Sequence, residues 1–475
     1  MRVILVSRRL LSQGTKTDCG ESGGAAGSGA RYGSGGGTCG ASGLCDDVFQ
    51  YQWHHDQQQQ QRRLLRTTAN QLEGLEAMFA NVMRQRWMKG LVVTALATLV
   101  LSGCGGDTGS TEQQQSPSEP TQQTSGGERF SAANLKELDT TIAGIMNDKN
   151  LPGVLVAVSA PGEGEYLTAQ GKANLDTGRA TDPDDQFRIG SVTKTFVATA
   201  ILQLVDEGKL NKSDTLSKWY PDFPNADRIT IDDLLRMRSG IPDYWDEETL
   251  KQLYDNPLEQ VTNEDVIEAA ASKADKFEPP DQETKYNNTN YNILAAIVEK
   301  VSGNDINTQI SENILKPLGL KNTLYPTNVE LPGELHGYGL NPQSGEFEDK
   351  TILNPTPVGG AGAMISNLSD LGVWAKALYN GDLLSPETQQ ARLQTQPAEG
   401  MAPTRYGEGI FEGTEGVWGH GGEIAGFSTD MWYIPEQDAS IVISVNRCDE
   451  TYDRESGEVL LAVLKSLFPE YVPSG

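Results

Sequence analysis

Cysteine is nearly missing from the part of this 475-residue chain that has the composition of a folded protein. Of five cysteines, Cys19, Cys39 and Cys45 lie in a glycine-rich front, Cys104 follows an apolar run, and only Cys448 remains beyond. That excludes an internal disulfide framework there. Histidine is equally scarce, with four in all, two of them the adjacent pair His54 and His55. No cluster of His and Cys with metal-ligand spacing is present, so neither a metal nor another cofactor is expected. No apolar run reaches the length of a bilayer-spanning helix. Basic residues are also short: residues 1–103 hold 11 Lys and Arg against 7 Asp and Glu, which leaves 27 basic against 58 acidic residues for the rest. A surface of net charge −31 repels nucleic acid and anionic lipid, and excludes both as partners.

The front of the chain has little that could form a core. Residues 1–82 carry a glycine- and serine-dominated stretch from Gly20 to Gly43 and five glutamines from Gln57 to Gln61. Too little apolar surface is available there to offset chain entropy, so 1–82 reads as disorder or as a mis-assigned start. From Met83 the pattern changes. Arg84, Arg86 and Lys89 precede the run Leu91–Leu101, and Ser102-Gly103-Cys104 follows. A charged segment, a short apolar one and small residues at a cleavage site make 83–104 a secretory leader. Leu-Ser-Gly-Cys resembles a bacterial lipoprotein box, which implies lipidation at Cys104 and a lipid-anchored protein of the bacterial cell envelope, facing the periplasm or exterior. Residues 105–129 are rich in Ser, Thr, Gln, Pro and Gly and read as a flexible tether. The remaining 130–470 is long enough for one enzyme of two closely packed subdomains, expected as a monomer.

Within that part, Ser191-Val192-Thr193-Lys194 is the most informative stretch. Ser and Lys three residues apart on a helix share one face, within hydrogen-bond reach. A hydroxyl is a weak nucleophile until a neighbouring base takes its proton, and a desolvated lysine can be that base. Phe196, Ala200, Ile201, Leu204 and Val205 recur at helical spacing, and Gly208 follows as a stop. The periodicity predicts a helix from Thr193 to Glu207 with Ser191 at its N-terminus. Gly190 would let a ligand or another backbone approach. Alone, Ser-x-x-Lys also describes a surface N-cap serine beside a solvated lysine.

Two later motifs change that balance. Tyr286-Asn287-Asn288 follows a polar loop and precedes a helix marked by Ile293, Leu294, Ile297, Val298 and Val301 and closed by Gly303. His420-Gly421-Gly422 sits in a glycine-rich edge ahead of the strand-like Met431-Trp432-Tyr433-Ile434. Glycines in a strand mark close approach of a ligand or backbone. Taken in order, the three motifs resemble those of the serine β-lactamase and penicillin-binding family, in its branch of class C β-lactamases, D-alanyl-D-alanine carboxypeptidases and related esterases. Phe187-Arg188-Ile189-Gly190-Ser191, Ile231-Asp232-Asp233-Leu234-Leu235 and Gly360-Ala361-Gly362 agree with it. The resemblance runs from about Phe130 to Leu467.

It implies Ser191 as nucleophile, Lys194 as its hydrogen-bonded base, Tyr286 as proton shuttle and Asn288 as the group orienting Lys194 and the substrate. His420 stands where many members have a lysine. The oxyanion hole would be the backbone N–H groups of Ser191 and Glu423, with Gly421 and Gly422 along the substrate. Two such donors are typically worth about 3–4 kcal/mol each. The implied activity is a serine hydrolase forming an acyl-enzyme, first a D-alanyl-D-alanine carboxypeptidase acting on cell-wall peptides. A β-lactamase, or an esterase or D-amino-acid peptidase on the same scaffold, is the alternative, so the partner is a small peptide, β-lactam or ester. One departure weighs against the first. Carboxypeptidases of the family read a terminal carboxylate with threonines beside the His-x-Gly and a nearby arginine. Here the neighbours are Gly421 and Glu423, and 406–419 holds no arginine. A carboxypeptidase therefore needs Glu423 turned out of the cleft and His420 helping to attract the carboxylate.

For the architecture, an amphipathic helix through Leu135, Leu138, Ile142, Ile145 and Met146 opens the domain. Strand-like runs follow at 154–160 and 165–170, and again around 417–420, 426–434 and 440–445, with a last helix over 456–467. Terminal helices on an antiparallel sheet, with a helical insert from about Ser191 to Leu378, is an α+β plan of the β-lactamase/transpeptidase type.

Overall fold

The computed structural model describes residues 128–472, apart from 247–248, 250–251, 253–255, 274–283, 342–343, 400–403 and 450–453. The stretch 1–82, the leader 83–104 with Cys104, and the tether up to residue 127 lie outside the described residues. Contacts begin inside the stretch assigned to the tether. Arg129 pairs with Glu163 at 3.3 Å and Glu470 at 3.2 Å, and its guanidinium lies 5.2 Å from the centre of the Phe468 ring.

Helix α1 (Ala132–Lys149) is capped by Ser131 and buries Leu135, Leu138 and Ile142. Strands β1 (Gly153–Ala160) and β2 (Gly164–Gly171) form a hairpin whose turn needs Gly162 at φ 87°. The chain then crosses to the helical side. There a one-turn 3-10 segment, Gly190–Val192, leads into α2 (Thr193–Asp206). Helix α3 (Thr289–Ser302) follows Asn288, and α4 (Leu368–Asn380) returns to the sheet. Short strands β3 (Gln396–Pro397), β4 (Arg405–Tyr406) and β5 (Phe411–Glu412) lead to β6 (Trp418–Ile424), β7 (Phe427–Ile434) and β8 (Ala439–Val445). Helix α5 (Glu455–Leu467) ends the domain.

The strands form one antiparallel sheet in the order β2-β1-β8-β7-β6-β5-β4-β3. Its register places Val156 opposite Ile443, Met431 opposite Val442, and His420 opposite Met431. All eight residues of β7 are buried, which requires cover on both faces. Helices α1 and α5 pack together, α5 against β7 and β8, while α4 packs against the same two strands and β1. The helical insert is thus shorter than the sequence suggested, because α4 belongs to the sheet. The apolar spacing of 368–380 shows a buried face and cannot say what covers it.

Helix α2 is the spine of the helical part. Eleven of its fourteen residues are buried, Lys194 among them. Phe196 stacks on Trp374 of α4 at 4.3 Å between ring centres, and the Trp374 indole N–H donates to Thr195 Oγ1 at 2.8 Å. A catalytic helix enclosed on all sides cannot tilt without breaking close packing, so the side chains of its first turn are held in place.

Candidate active site

Two glycines bring the helix start and the sheet together. Gly190 has φ 49°, and a Cβ there would lie 2.8 Å from the backbone N and O of Glu423. A Cβ on Gly422 would lie 2.0 Å from the Ile189 carbonyl oxygen and 2.9 Å from the Ser191 nitrogen. Only glycine permits this approach, and it brings the backbone of Ser191 beside that of Glu423. The sequence read His420–Glu423 as an edge. The structure makes β6 an inner strand, but β5 pairs only with Trp418 and Gly419. From His420 onward that side of β6 faces the cleft.

Ser191 occupies the 3-10 turn just ahead of α2 and is not the helix cap, so its hydroxyl is free for other partners. Lys194 Nζ sits 2.9 Å from Ser191 Oγ, 2.8 Å from Asn288 Oδ1 and 2.7 Å from the Ala361 carbonyl oxygen. Burial pulls its pKa down to about 7, against the opposing pull of Asp243 and Glu423. A neutral amine has two hydrogens and one lone pair. Asn288 and Ala361 accept the two hydrogens, which aims the lone pair at the Ser191 hydroxyl. Asn288 is itself fixed, because its Nδ2 donates to Asp243 Oδ2 at 3.1 Å and its backbone N–H donates to the same oxygen at 3.2 Å. Asp243 is thus a positioning residue that no local pattern marks; 45 positions separate it from Asn288, and only tertiary folding joins them.

Tyr286 faces the same hydroxyl. Burial drives its pKa well above the usual phenol value, opposed by a hydrogen bond with Ser191. The phenol stays protonated at working pH, so it can relay a proton and Lys194 is left as the base. Its ring packs against a Phe411–Tyr406 pair, Phe411 stacked at 6.0 Å and Tyr406 edge-on at 6.2 Å, with the Lys194 nitrogen 5.0 Å from its centre. His420 lies 6.1 Å from the same ring, with Nδ1 2.5 Å from the Gly421 carbonyl oxygen. Burial lowers its pKa to about 3, with Lys194 adding to the effect. Being neutral, His420 cannot attract a carboxylate as a cation. Nδ1 donates to Gly421, which leaves Nε2 as a buried acceptor with no partner among the described residues.

Glu423 is not turned away. Its side chain lines the cleft on both sides of Ser191: a cavity of 560 Å³ shared with His420, Gly421, Trp432 and Arg454, and one of 210 Å³ shared with Tyr244, Trp245 and Asn288. Burial raises its pKa to about 7, with Arg454 opposing. The structure also supplies an arginine that the 406–419 window lacked. Arg454, at the start of α5, lies over Gly421, where a Cβ would meet its guanidinium at 3.1–3.2 Å. It pairs with buried Asp430, which also accepts from Trp432 Nε1 at 2.6 Å and Ser456 Oγ at 2.7 Å. Its position just ahead of the last helix was the only trace of it in the sequence.

The described residues contain no metal-binding group of His, Cys, Asp and Glu. The lone Cys448 is buried and free. What the site can do is general-base-assisted acyl transfer: Lys194 takes the Ser191 proton, Ser191 Oγ adds to a carbonyl carbon, and N–H groups of Ser191 and Glu423 receive the oxyanion. The pH profile follows from the sign of the Lys194 shift. Protonated below about 7, it cannot act as base. We expect kcat/KM to rise about tenfold per pH unit on the acid side and to level off near 7. A rate that falls with pH across neutrality would exclude Lys194 as the base.

Comparison with known proteins bears on the family and the fold. A family model described as Beta-lactamase matches residues 138–465. Protein flp of Staphylococcus aureus strain MW2 is 28% identical over 329 residues, 67% of this chain and 64% of that protein, so the chain spans under two thirds of that relative's length. Among solved structures, D-amino acid amidase from Ochrobactrum anthropi SV3, complexed with L-phenylalanine amide, is 25% identical with a TM-score of 0.62, covering 70% of this chain and 99% of that one. A D-stereospecific amidohydrolase from Streptomyces sp. is 27% identical with a TM-score of 0.61, covering 70% and 97%.

Proposed function

Since this chain belongs to the Beta-lactamase family and is a serine hydrolase of that superfamily, we propose that it cleaves amide bonds of small amides and peptides built on D-amino acids. Ser191 Oγ bonds to the carbonyl carbon, the C–N bond breaks, and the amine leaves with a proton passed through Lys194 and Tyr286. Water then adds to the acyl-enzyme, and the carboxylic acid leaves as the serine regains its proton. The observation that carries the substrate reading is the carboxyl of Glu423 inside the cleft. With Asp243 and Asp430 it makes three acidic groups around the site, against two basic ones, Lys194 and Arg454. Such a cleft disfavours a substrate with its own carboxylate. The two amidohydrolase neighbours support the same reading.

Arg454 over Gly421 favours a second reading, the D-alanyl-D-alanine carboxypeptidase, because a guanidinium is the usual partner of a terminal carboxylate. Turnover of D-phenylalanine amide, an acyl-D-Ala-D-Ala peptide, nitrocefin and p-nitrophenyl butyrate, measured side by side, separates the readings. The amide should give the highest kcat/KM, by about tenfold or more, equivalent to 1.4 kcal/mol of transition-state binding. Preference for the D-Ala-D-Ala peptide would establish the carboxypeptidase, and rapid nitrocefin turnover the β-lactamase.

We propose also that the enzyme is held at a bacterial envelope by lipid on Cys104, on the strength of the leader at 83–104. Expressed from its own start, the protein should fractionate with membranes, and Cys104→Ser should release it or leave the precursor uncleaved. Retention of a mature Cys104→Ser protein in the membrane would overturn the anchor.

A further inference from the structure

Three carboxyl groups bear on the site, Asp243 acting on Lys194 and Asp430 on Glu423 and Arg454, and two of the three are hydrogen-bonded. Asp430 accepts from Arg454, Trp432 and Ser456, and Asp243 accepts the Asn288 side-chain amide and backbone N–H. Glu423 differs. Its Oε1 is sealed from solvent and accepts no hydrogen bond, and none of the described Lys, Arg or His nitrogens lies within 4.0 Å of its carboxylate. A buried acceptor with nothing to accept is costly, and one that belongs to a residue lining the cleft can be satisfied by a ligand. Its place is specific as well. The backbone N–H of Glu423 is the second oxyanion donor, so the side chain lies within one residue's width of the carbonyl under attack. Asp430 is paired with Arg454 and Asp243 accepts from Asn288, which leaves the Glu423 carboxylate without a counter-charge in hydrogen-bond reach among the described residues. A cation arriving with the substrate would balance it.

We propose that the Glu423 carboxylate anchors a primary ammonium on the acyl residue of the substrate, which makes the enzyme one that takes amino-acid amides and the N-terminal residue of short peptides. The inference rests on the amide reading above. An α-ammonium is two bonds from the carbonyl carbon that Ser191 attacks, and Glu423 lines both cavities that Ser191 lines. The 210 Å³ cavity on the Asn288 side is walled by Tyr244, Trp245, Val358 and Ile424 and accommodates one apolar or aromatic amino-acid side chain. Burial, helped by the nearby Asp430 and opposed by Arg454 and Lys194, pushes the Glu423 carboxyl up to about 7, so the empty site holds it partly protonated. An incoming ammonium restores the carboxylate and receives a charge-assisted hydrogen bond in a site shielded from water.

The test compares D-phenylalanine p-nitroanilide with its N-acetyl derivative, which keeps the ring and scissile bond and loses the charge. Wild type should prefer the free amine by about tenfold or more in kcat/KM, mostly through KM. In Glu423→Gln the ratio between the two substrates should fall to about one. Labelling of Ser191 by a fluorophosphonate reports whether the variant's site is intact; if it is not, the wild-type ratio decides alone. Equal turnover of both anilides by wild type would overturn the ammonium anchor and leave the amide reading standing. So would an unchanged ratio in an intact Glu423→Gln, which would make Glu423 a partner for Arg454 only. Turnover of p-nitrophenyl butyrate or nitrocefin with no cleavage of either anilide would remove the amide reading, and the anchor with it.

Discussion

Ser191→Ala is expected to lower kcat by about 10⁴- to 10⁶-fold, the range seen when the nucleophile of an acyl-transfer enzyme is removed. The loss should appear in kcat with KM little altered, because the hydroxyl within the 3-10 turn contributes chemistry and little binding. Its removal takes one partner from Lys194, which keeps Asn288 Oδ1 and the Ala361 carbonyl. The fold should therefore survive, with an unchanged circular dichroism spectrum. A residual rate within about tenfold of wild type would mean that another group attacks the substrate.

The second large effect concerns the proton path. Lys194→Ala and Tyr286→Phe should each reduce kcat/KM by about 10²- to 10⁴-fold, the usual worth of a positioned acid or base. Both groups meet at Ser191 Oγ, Lys194 at 2.9 Å and Tyr286 through the hydrogen bond that opposes its burial. The double mutant should then be little worse than the poorer single mutant, since one broken relay cannot be broken twice. Additive losses would assign the two groups to separate steps. Lys194→Ala should also cost stability, because it strands the buried carbonyl groups of Asn288 and Ala361, at about 1–3 kcal/mol each. Urea unfolding of that variant measures the cost separately from activity.

The elements with a strong local signal were legible in the sequence. Helix α2 was expected to end at Glu207 and does so within one residue, and Gly303 closes α3 as expected, in the left-handed conformation. The hairpin at 161–163 and the last three strands were also visible, through apolar runs bounded by Gly and Pro. Ser191 and Lys194 share one helical turn and were visible locally, whereas Tyr286 and Asn288 were named through the resemblance, and the structure brings all four together although 94 positions separate Lys194 from Asn288. What could not be read were facts that depend on distant segments meeting. Asp243 reaches Asn288, Arg454 reaches Gly421 and Asp430, and α4 covers the sheet, each across a long stretch of chain. Charge states were hidden for the same reason. His420 is neutral and the Glu423 carboxyl is raised because of what buries them, and a one-dimensional pattern holds no information on burial at a glycine-rich strand.

The central claim is that catalysis passes through a covalent acyl group on Ser191, drawn there by Lys194. Intact mass spectrometry after incubation with a penicillin or a fluorophosphonate, followed by peptide mapping, tests it most directly. The account predicts one adduct per chain, on the peptide bearing Ser191, absent from Ser191→Ala and formed far more slowly by Lys194→Ala. An adduct on a different serine, or stoichiometric labelling that persists in Ser191→Ala, would contradict it.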